Sequence, residues 1–295
     1  NKGILRGKKQ LRKRFQLKNQ IFKEITKAKK DIESKIKRGG SLIFSKEKRY
    51  QYWDYKNKLI DKRTALFKSK VKGQAKEQAN RFLNKLNKLK KEEILKMNKN
   101  DIRKLFDIKT ENETLLNFAI PYYLRTFEEE ANDALNLLRI GQTINMTKMF
   151  QKDTKEGQIY KRLKLRAKLF AKSVNDTTLD GLTDTLAKGI EGNETMAELS
   201  GRVLNTYDDF GNYRAELIAR TEMAAVSNDA NIEAFRQSEV VNGKEWIAVM
   251  DDRTRDEHAE MNGEIVKLEE SFSNGLDSPN EPNCRCVVAP AMIWI

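Results

Sequence analysis

Cysteine and histidine are nearly absent from this chain of 295 residues, which holds two of the first and one of the second. Two cysteines cannot build a disulfide framework of the kind that staples small secreted domains. There is no Gly-rich phosphate loop, no G-x-S-x-G and no H-E-x-x-H, so the sequence offers no ready sign of nucleotide hydrolysis, a serine hydrolase or a zinc protease. No internal repeat is evident. Neither RNP nor zinc-finger patterns occur, which argues against base-specific recognition of nucleic acid. No run of apolar residues is long enough to span a bilayer, and no charged-then-apolar leader opens the sequence, so no membrane role is expected. It begins with Asn1 rather than Met, as a processed or shortened chain would.

What is present is charge. Charged residues make up 34% of the chain against 39% hydrophobic, a balance that favours extended helices with much exposed surface. The formal net charge of +14 is unevenly spread, because residues 1–100 hold about 33 Lys and Arg against 9 Asp and Glu, leaving the remainder near −10. An excess of that size suits sequence-independent neutralisation of DNA phosphates or an acidic protein surface better than an ordinary solvated face.

Apolar spacing predicts helices along most of the chain. Leu11, Phe15, Phe22, Ile25, Ile32 and Ile36 mark one face of a first helix ending at Gly39-Gly40. Trp53, Ile60, Phe67, Val71, Ala75, Ala79, Phe82, Leu86 and Leu89 mark a second, running towards a break at Asn98-Lys99-Asn100-Asp101, and the two suggest a hairpin or coiled coil. Further helices are expected over 112–139, kinked or restarted at Pro121, and over 159–188, divided near Asn175-Asp176-Thr177. Thr143 to Phe150 reads as extended. A capping box at Thr195-Met196-Ala197-Glu198 opens another helix, and Tyr213 to Gln237 forms the last long one.

The rare residues gather near the end. Glu245 to Met250 and Glu264 to Leu268 read as strands joined through an Asn262-Gly263 turn, and Val287-Val288-Ala289 as a third strand entered through Cys284-Arg285-Cys286. This small β element is expected to fold His258, the only histidine, toward the only cysteines, Cys284 and Cys286. Imidazole and thiolate are the preferred ligands of zinc, with a fourth ligand from Asp251, Asp252, Asp256 or water. A disulfide between residues so close in sequence rarely meets the required geometry. Two packed, reduced thiols beside a histidine bonded to a carboxylate remain an equal alternative to zinc. His258-Ala259-Glu260 with Pro282-Asn283-Cys284-Arg285-Cys286 also echoes the zinc deaminases, although the proline and cysteine spacings differ.

Ala219-Arg220-Thr221-Glu222, Trp246, Asp251-Asp252-Arg253-Thr254-Arg255, His258, Asn262-Gly263 and Pro282-Asn283-Cys284-Arg285-Cys286, in that order, resemble the minor head proteins of tailed phages, the phage Mu F-like or head morphogenesis family, over roughly residues 180 to 292. The resemblance implies a virion protein of the head interior, made in the host cytoplasm, that acts with the portal protein, or with major capsid or scaffold protein, in procapsid assembly. It implies no established reaction. It also makes Arg220, Glu222, Trp246, Asp252, Arg253, Arg255 and Gly263 structural motif residues, with Arg220 and Glu222 read as an ion pair or brace rather than catalytic groups.

The expected protein is therefore mainly α with a C-terminal α+β module. Residues 1–100 form a basic helical hairpin or coiled-coil arm, 101–190 a helical body and 191–295 the Mu F-like module. The arm would meet double-stranded DNA without sequence preference. A structural zinc would be held by His258, Cys284, Cys286 and Asp251. The enzyme alternative is a metal-dependent hydrolase or deaminase centred on His258, Glu260, Cys284 and Cys286.

Overall fold

A computed structural model describes residues 40–41, 46–138, 154–208, 211–239 and 241–294. The first predicted helix and the extended stretch over Thr143 to Phe150 lie outside the described residues.

The chain is mainly helical with a small C-terminal sheet. In order run β1 (Gly40–Ser41), α1 (Lys46–Leu86), α2 (Lys91–Ile94), α3 (Lys99–Phe106), α4 (Ile108–Leu137), α5 (Lys155–Glu191), α6 (Met196–Asp208) and α7 (Asn212–Ser238). They are followed by β2 (Gly243–Ile247), α8 (Asp256–Glu260), β3 (Ile265–Lys267), β4 (Val287–Ala291) and β5 (Ile293–Trp294). Two compact units interleave along the chain: one comprises 1–63, 125–146 and 220–295, the other 64–124 and 147–219. These boundaries do not fall at residues 100 and 190. Residues 46–63 belong to the same unit as the sheet.

In the second unit, the apolar stripe of α1 buries Phe67, Val71, Ala75, Ala79, Phe82 and Leu86. Phe67 stacks on Phe118 at 5.5 Å between ring centroids and packs at 6.0 Å from Phe170, so these aromatics form core. Helix α4 runs through Pro121 without a break. Proline removes one backbone donor, but Ala119 and Tyr123 are both fully buried, and their packing holds the helix on course. Helix α5 is likewise undivided at Asn175. That side chain is buried, accepting from Gln78 Nε2 at 2.9 Å and donating to Asn112 Oδ1 at 2.8 Å, so its amide is spent on neighbouring helices instead of competing for its own backbone. The capping box of α6 forms as its letters predict, with Thr195 N donating to Glu198 Oε2 at 2.7 Å and Glu198 N to Thr195 Oγ1 at 3.3 Å.

In the first unit, β2 is the centre of an antiparallel sheet of order β3-β2-β4. Gly243 to Ile247 pair with Ala291 to Val287 on one side, and Gly243 to Glu245 with Lys267 to Ile265 on the other. The strand begins two residues before the apolar run that predicts it and ends at Ile247. Beyond that point the loop takes the backbone groups: Ala248 N donates to Asn262 Oδ1 at 3.0 Å, and Thr254 Oγ1 donates to Val249 O.

Alternation explains why Lys244 and Glu245 are tolerated inside this strand. Lys244 lies on the face of Trp246, places Nζ 5.1 Å from the centre of the Phe272 ring and donates to Asp277 O at 2.7 Å. Glu245 lies on the other face, where it is fully buried and takes an ion pair from Arg49 of α1. Among the described residues, strand β4 has no strand partner on its outer side in this sheet. Side chains satisfy that edge: Tyr52 Oη donates to Val288 O at 3.0 Å, and Asn228 Oδ1 accepts from Val288 N at 3.1 Å.

Candidate functional site

The loop after β2 is built to turn sharply. Asp251 accepts from Arg253 N at 3.1 Å, an Asx turn, and Arg255 caps a single helical turn that carries His258 on its inner side. His258 is 2% exposed and meets Trp246 edge to face, with ring centroids 5.2 Å apart. The return is made at Gly263, whose φ of +93° a side chain would resist and whose N–H donates to Trp246 O at 2.8 Å. A Cβ there would also come within 3.1 Å of the Arg49 guanidinium.

Cys284 and Cys286 arrive from the other side. Trp53 Nε1 donates to Arg285 O at 2.7 Å, Asn57 Nδ2 to the same oxygen at 3.0 Å, and Asn283 N to Thr221 Oγ1 at 2.9 Å. Asn228 Nδ2 donates to Pro279 O at 3.0 Å and to Cys286 O at 3.3 Å. Residues far apart in sequence on α1 and α7 thus fix the Cys-Arg-Cys segment.

The outcome is a converging donor set. The Sγ atoms of Cys284 and Cys286 each lie 3.5 Å from Nδ1 of His258, and all three side chains are buried. On the far side of the ring, Nε2 is hydrogen-bonded to Glu281. A carboxylate only accepts, so Nε2 carries a proton, and Nδ1 faces the sulfurs. A cavity of about 120 Å³ lies beside them, lined also by Val249, Thr254 and the arginines Arg253, Arg255 and Arg285. Sharing of a proton with Cys286, then the His258 ring, holds the Cys284 thiol down at about 5, against the opposing effect of burial. That same pairing, with burial, pushes the Cys286 thiol up, so the two thiols share one negative charge. His258 is raised, first by its hydrogen bond with Cys284 and then by Glu281, with burial opposing.

The remaining predicted residues fall into place around this centre. Asp251, the carboxylate expected as a fourth ligand, is instead held by Arg285, whose Nη1 donates to it at 2.8 Å. That ion pair depresses the Asp251 carboxyl well below the usual range. The group of donors close enough to share an ion comprises His258, Cys284 and Cys286 among the described residues. Arg255 donates to Pro282 O at 2.7 Å, Asp252 is exposed, and Arg253 reaches the cavity wall. Arg220 donates to Asn57 Oδ1 at 2.7 Å and pairs with Asp61, so it braces α7 against α1. Glu260 is exposed and does not line the cavity, which takes away the proton shuttle that a deaminase would need. Glu281, Asn228, Thr221 and Asn57 escaped sequence reasoning, because an ordinary polar residue carries no local mark of a partner dozens of positions away.

Comparison with known proteins now bears on this arrangement. Residues 176–289 match the family described as Phage Mu protein F like protein. This Mu F-like segment contains the donor set, the Asx turn and Arg220, and its last residues lie in β4. The chain is also similar to "Uncharacterized protein YqbB" of Bacillus subtilis (strain 168), at 26% identity over 141 residues covering 43% of this chain and 46% of the relative. The chain thus spans about half the length of the curated relative it matches. No solved structure matches it. No helix among the described residues is long and apolar enough to cross a membrane.

Proposed function

We propose that this protein is a phage head morphogenesis protein, a minor component of the head interior that acts with the portal protein during procapsid assembly. The observation that carries the reading is the Mu F-like match over residues 176–289, whose separate motifs are gathered by the fold around one buried centre. A docking role suits that construction. The cavity is small, and its walls are occupied by arginines engaged with Asp251, Pro282 O and Glu281.

The basic N-terminal hundred residues would meet DNA or an acidic surface of portal, capsid or scaffold protein. Binding to DNA would be non-specific and would weaken steeply with salt, because each neutralised phosphate releases counterions.

The test is fractionation of assembled heads followed by chemical cross-linking. The protein is expected in procapsids and full heads, with cross-links to portal subunits. Its absence from particles, with cross-links only to cytoplasmic host proteins, contradicts the proposal. Titration of duplex DNA at several salt concentrations tests the basic segment separately. An affinity that ignores salt, or that follows base sequence, contradicts non-specific phosphate contact.

A further inference from the structure

We infer that His258 Nδ1, Cys284 Sγ and Cys286 Sγ form a zinc site with three protein ligands, that Glu281 orients the imidazole from behind, and that water from the adjoining cavity completes the coordination.

Spacing is the first argument. Zinc binds thiolate sulfur at about 2.3 Å and imidazole nitrogen at about 2.0–2.1 Å, so a tetrahedral angle puts nitrogen and sulfur about 3.6 Å apart. Both sulfurs stand 3.5 Å from Nδ1. A hydrogen-bonded cluster in which Cys284 and Cys286 share one proton still offers a single hydrogen-bonding position at Nδ1 for two sulfurs at the same distance. A shared cation accounts for both.

The surroundings supply the second argument. Ligating histidines commonly give their other ring N–H to a carboxylate, which fixes the tautomer and sharpens the ligand, and Glu281 stands in that place. The backbone N–H of Cys286 points at Cys284 Sγ across 3.3 Å, as suits a thiolate acceptor.

The third argument is what the site joins. His258 lies 26 residues before Cys284 and 28 before Cys286. The loop between them holds one three-residue strand, and its buried apolar side chains are Met261, Leu268 and Phe272. An ion tying its two ends restricts the unfolded chain and fixes β4 against α8. Two thiols and an imidazole select zinc over the hard cations calcium and magnesium. Asp251 is held by Arg285 and Glu281 sits behind the ring, so neither reaches the fourth position. The cavity of about 120 Å³ has room for water there. This inference is independent of the head-assembly reading.

The experiment uses the full chain, purified without a polyhistidine tag and stripped with chelator, then titrated with cobalt(II) and zinc. Uptake of one cobalt per chain is expected, with thiolate-to-cobalt charge-transfer absorption and the intense visible bands of a four-coordinate site, both bleached by one equivalent of zinc. Glu281→Gln should keep that stoichiometry and weaken the affinity about 10–100-fold. The double variant Cys284→Ser, Cys286→Ser should lose the charge-transfer band. Folded parent protein that takes up no cobalt or zinc overturns the proposal, as does a band that persists in the double variant. So does a Cys284–Cys286 disulfide found by thiol counting in protein made in a reducing cytoplasm. Should the double variant fail to fold, the parent spectrum and the Glu281→Gln affinity still decide.

Discussion

Asn228 and Ser227 are adjacent, buried, polar and on the same helix, yet their removal should change stability in opposite directions. Asn228 is fully buried and makes three hydrogen bonds to backbone groups of Pro279, Cys286 and Val288, which clip the outer edge of β4 to α7. Each is worth about 0.5–1.5 kcal/mol net, and truncation leaves two carbonyls and an N–H buried without partners, so Asn228→Ala should cost about 2–4 kcal/mol. For a unit of this size, a loss of about 3 kcal/mol lowers the melting temperature by roughly 6–12 °C. Ser227 Oγ, by contrast, has no hydrogen-bond partner among the described residues. Ser227→Ala removes an unsatisfied hydroxyl and improves helix propensity, so it should be neutral or stabilising by up to about 1 kcal/mol. Denaturant unfolding followed by circular dichroism, with scanning fluorimetry in parallel, measures both. Equal destabilisation by the two variants, or an Asn228→Ala protein that melts with the parent, would refute the assignment of β4's edge to Asn228.

Three further outcomes follow from other parts of the fold. Lys56 is 1% exposed and bonds Glu130 at 2.7 Å, so Lys56→Ala should cost about 3 kcal/mol in denaturant melts by leaving a fully buried carboxylate with Arg63 alone, and an unchanged midpoint would contradict this. Pro121 is exposed inside α4, and Pro121→Ala should restore a helical donor toward Asn117 and stabilise by about 1–3 kcal/mol, whereas a loss of stability would show that the helix needs its proline geometry. The Glu198 carboxyl is held low chiefly by the Thr195 backbone N–H, and that of Glu194 by Arg202. Groups so depressed contribute stability that is present above their unfolded pKa and lost as pH falls through the folded one, here below about pH 4. Glu198→Gln should therefore flatten the fall in melting temperature between about pH 5 and pH 3, and a slope equal to the parent's would count against it.

Local patterns made much of this architecture legible. Helix α1 lies where a stripe of Ile60, Phe67, Val71, Ala75, Ala79, Phe82 and Leu86 places it, and β4 follows from consecutive valines after Cys286. The convergence of His258 with both cysteines was expected from their rarity and from the strands around them. Elements whose form depends on distant partners were not legible. Asn175 and Pro121 look like breaks in sequence, but buried contacts hold their helices continuous. Lys244 and Glu245 look unsuited to an inner strand until Asp277 O and Arg49 are seen to receive them. Asp251 has the chemistry of a ligand and the right neighbourhood, but it pairs with Arg285 and stands outside the group formed by His258, Cys284 and Cys286. Glu281 was missed because a loop glutamate is unremarkable until the ring of His258 is known to lie against it.

X-ray absorption at the zinc edge, on full-length protein carrying one zinc per chain, tests most directly whether the Mu F-like segment is organised around a shared ion. Two sulfur scatterers at about 2.3 Å and two nitrogen or oxygen scatterers at about 2.0–2.1 Å are predicted, with the sulfur contribution lost in the Cys284→Ser, Cys286→Ser variant. A shell made only of nitrogen and oxygen, or a sulfur shell that survives loss of both cysteines, would contradict it.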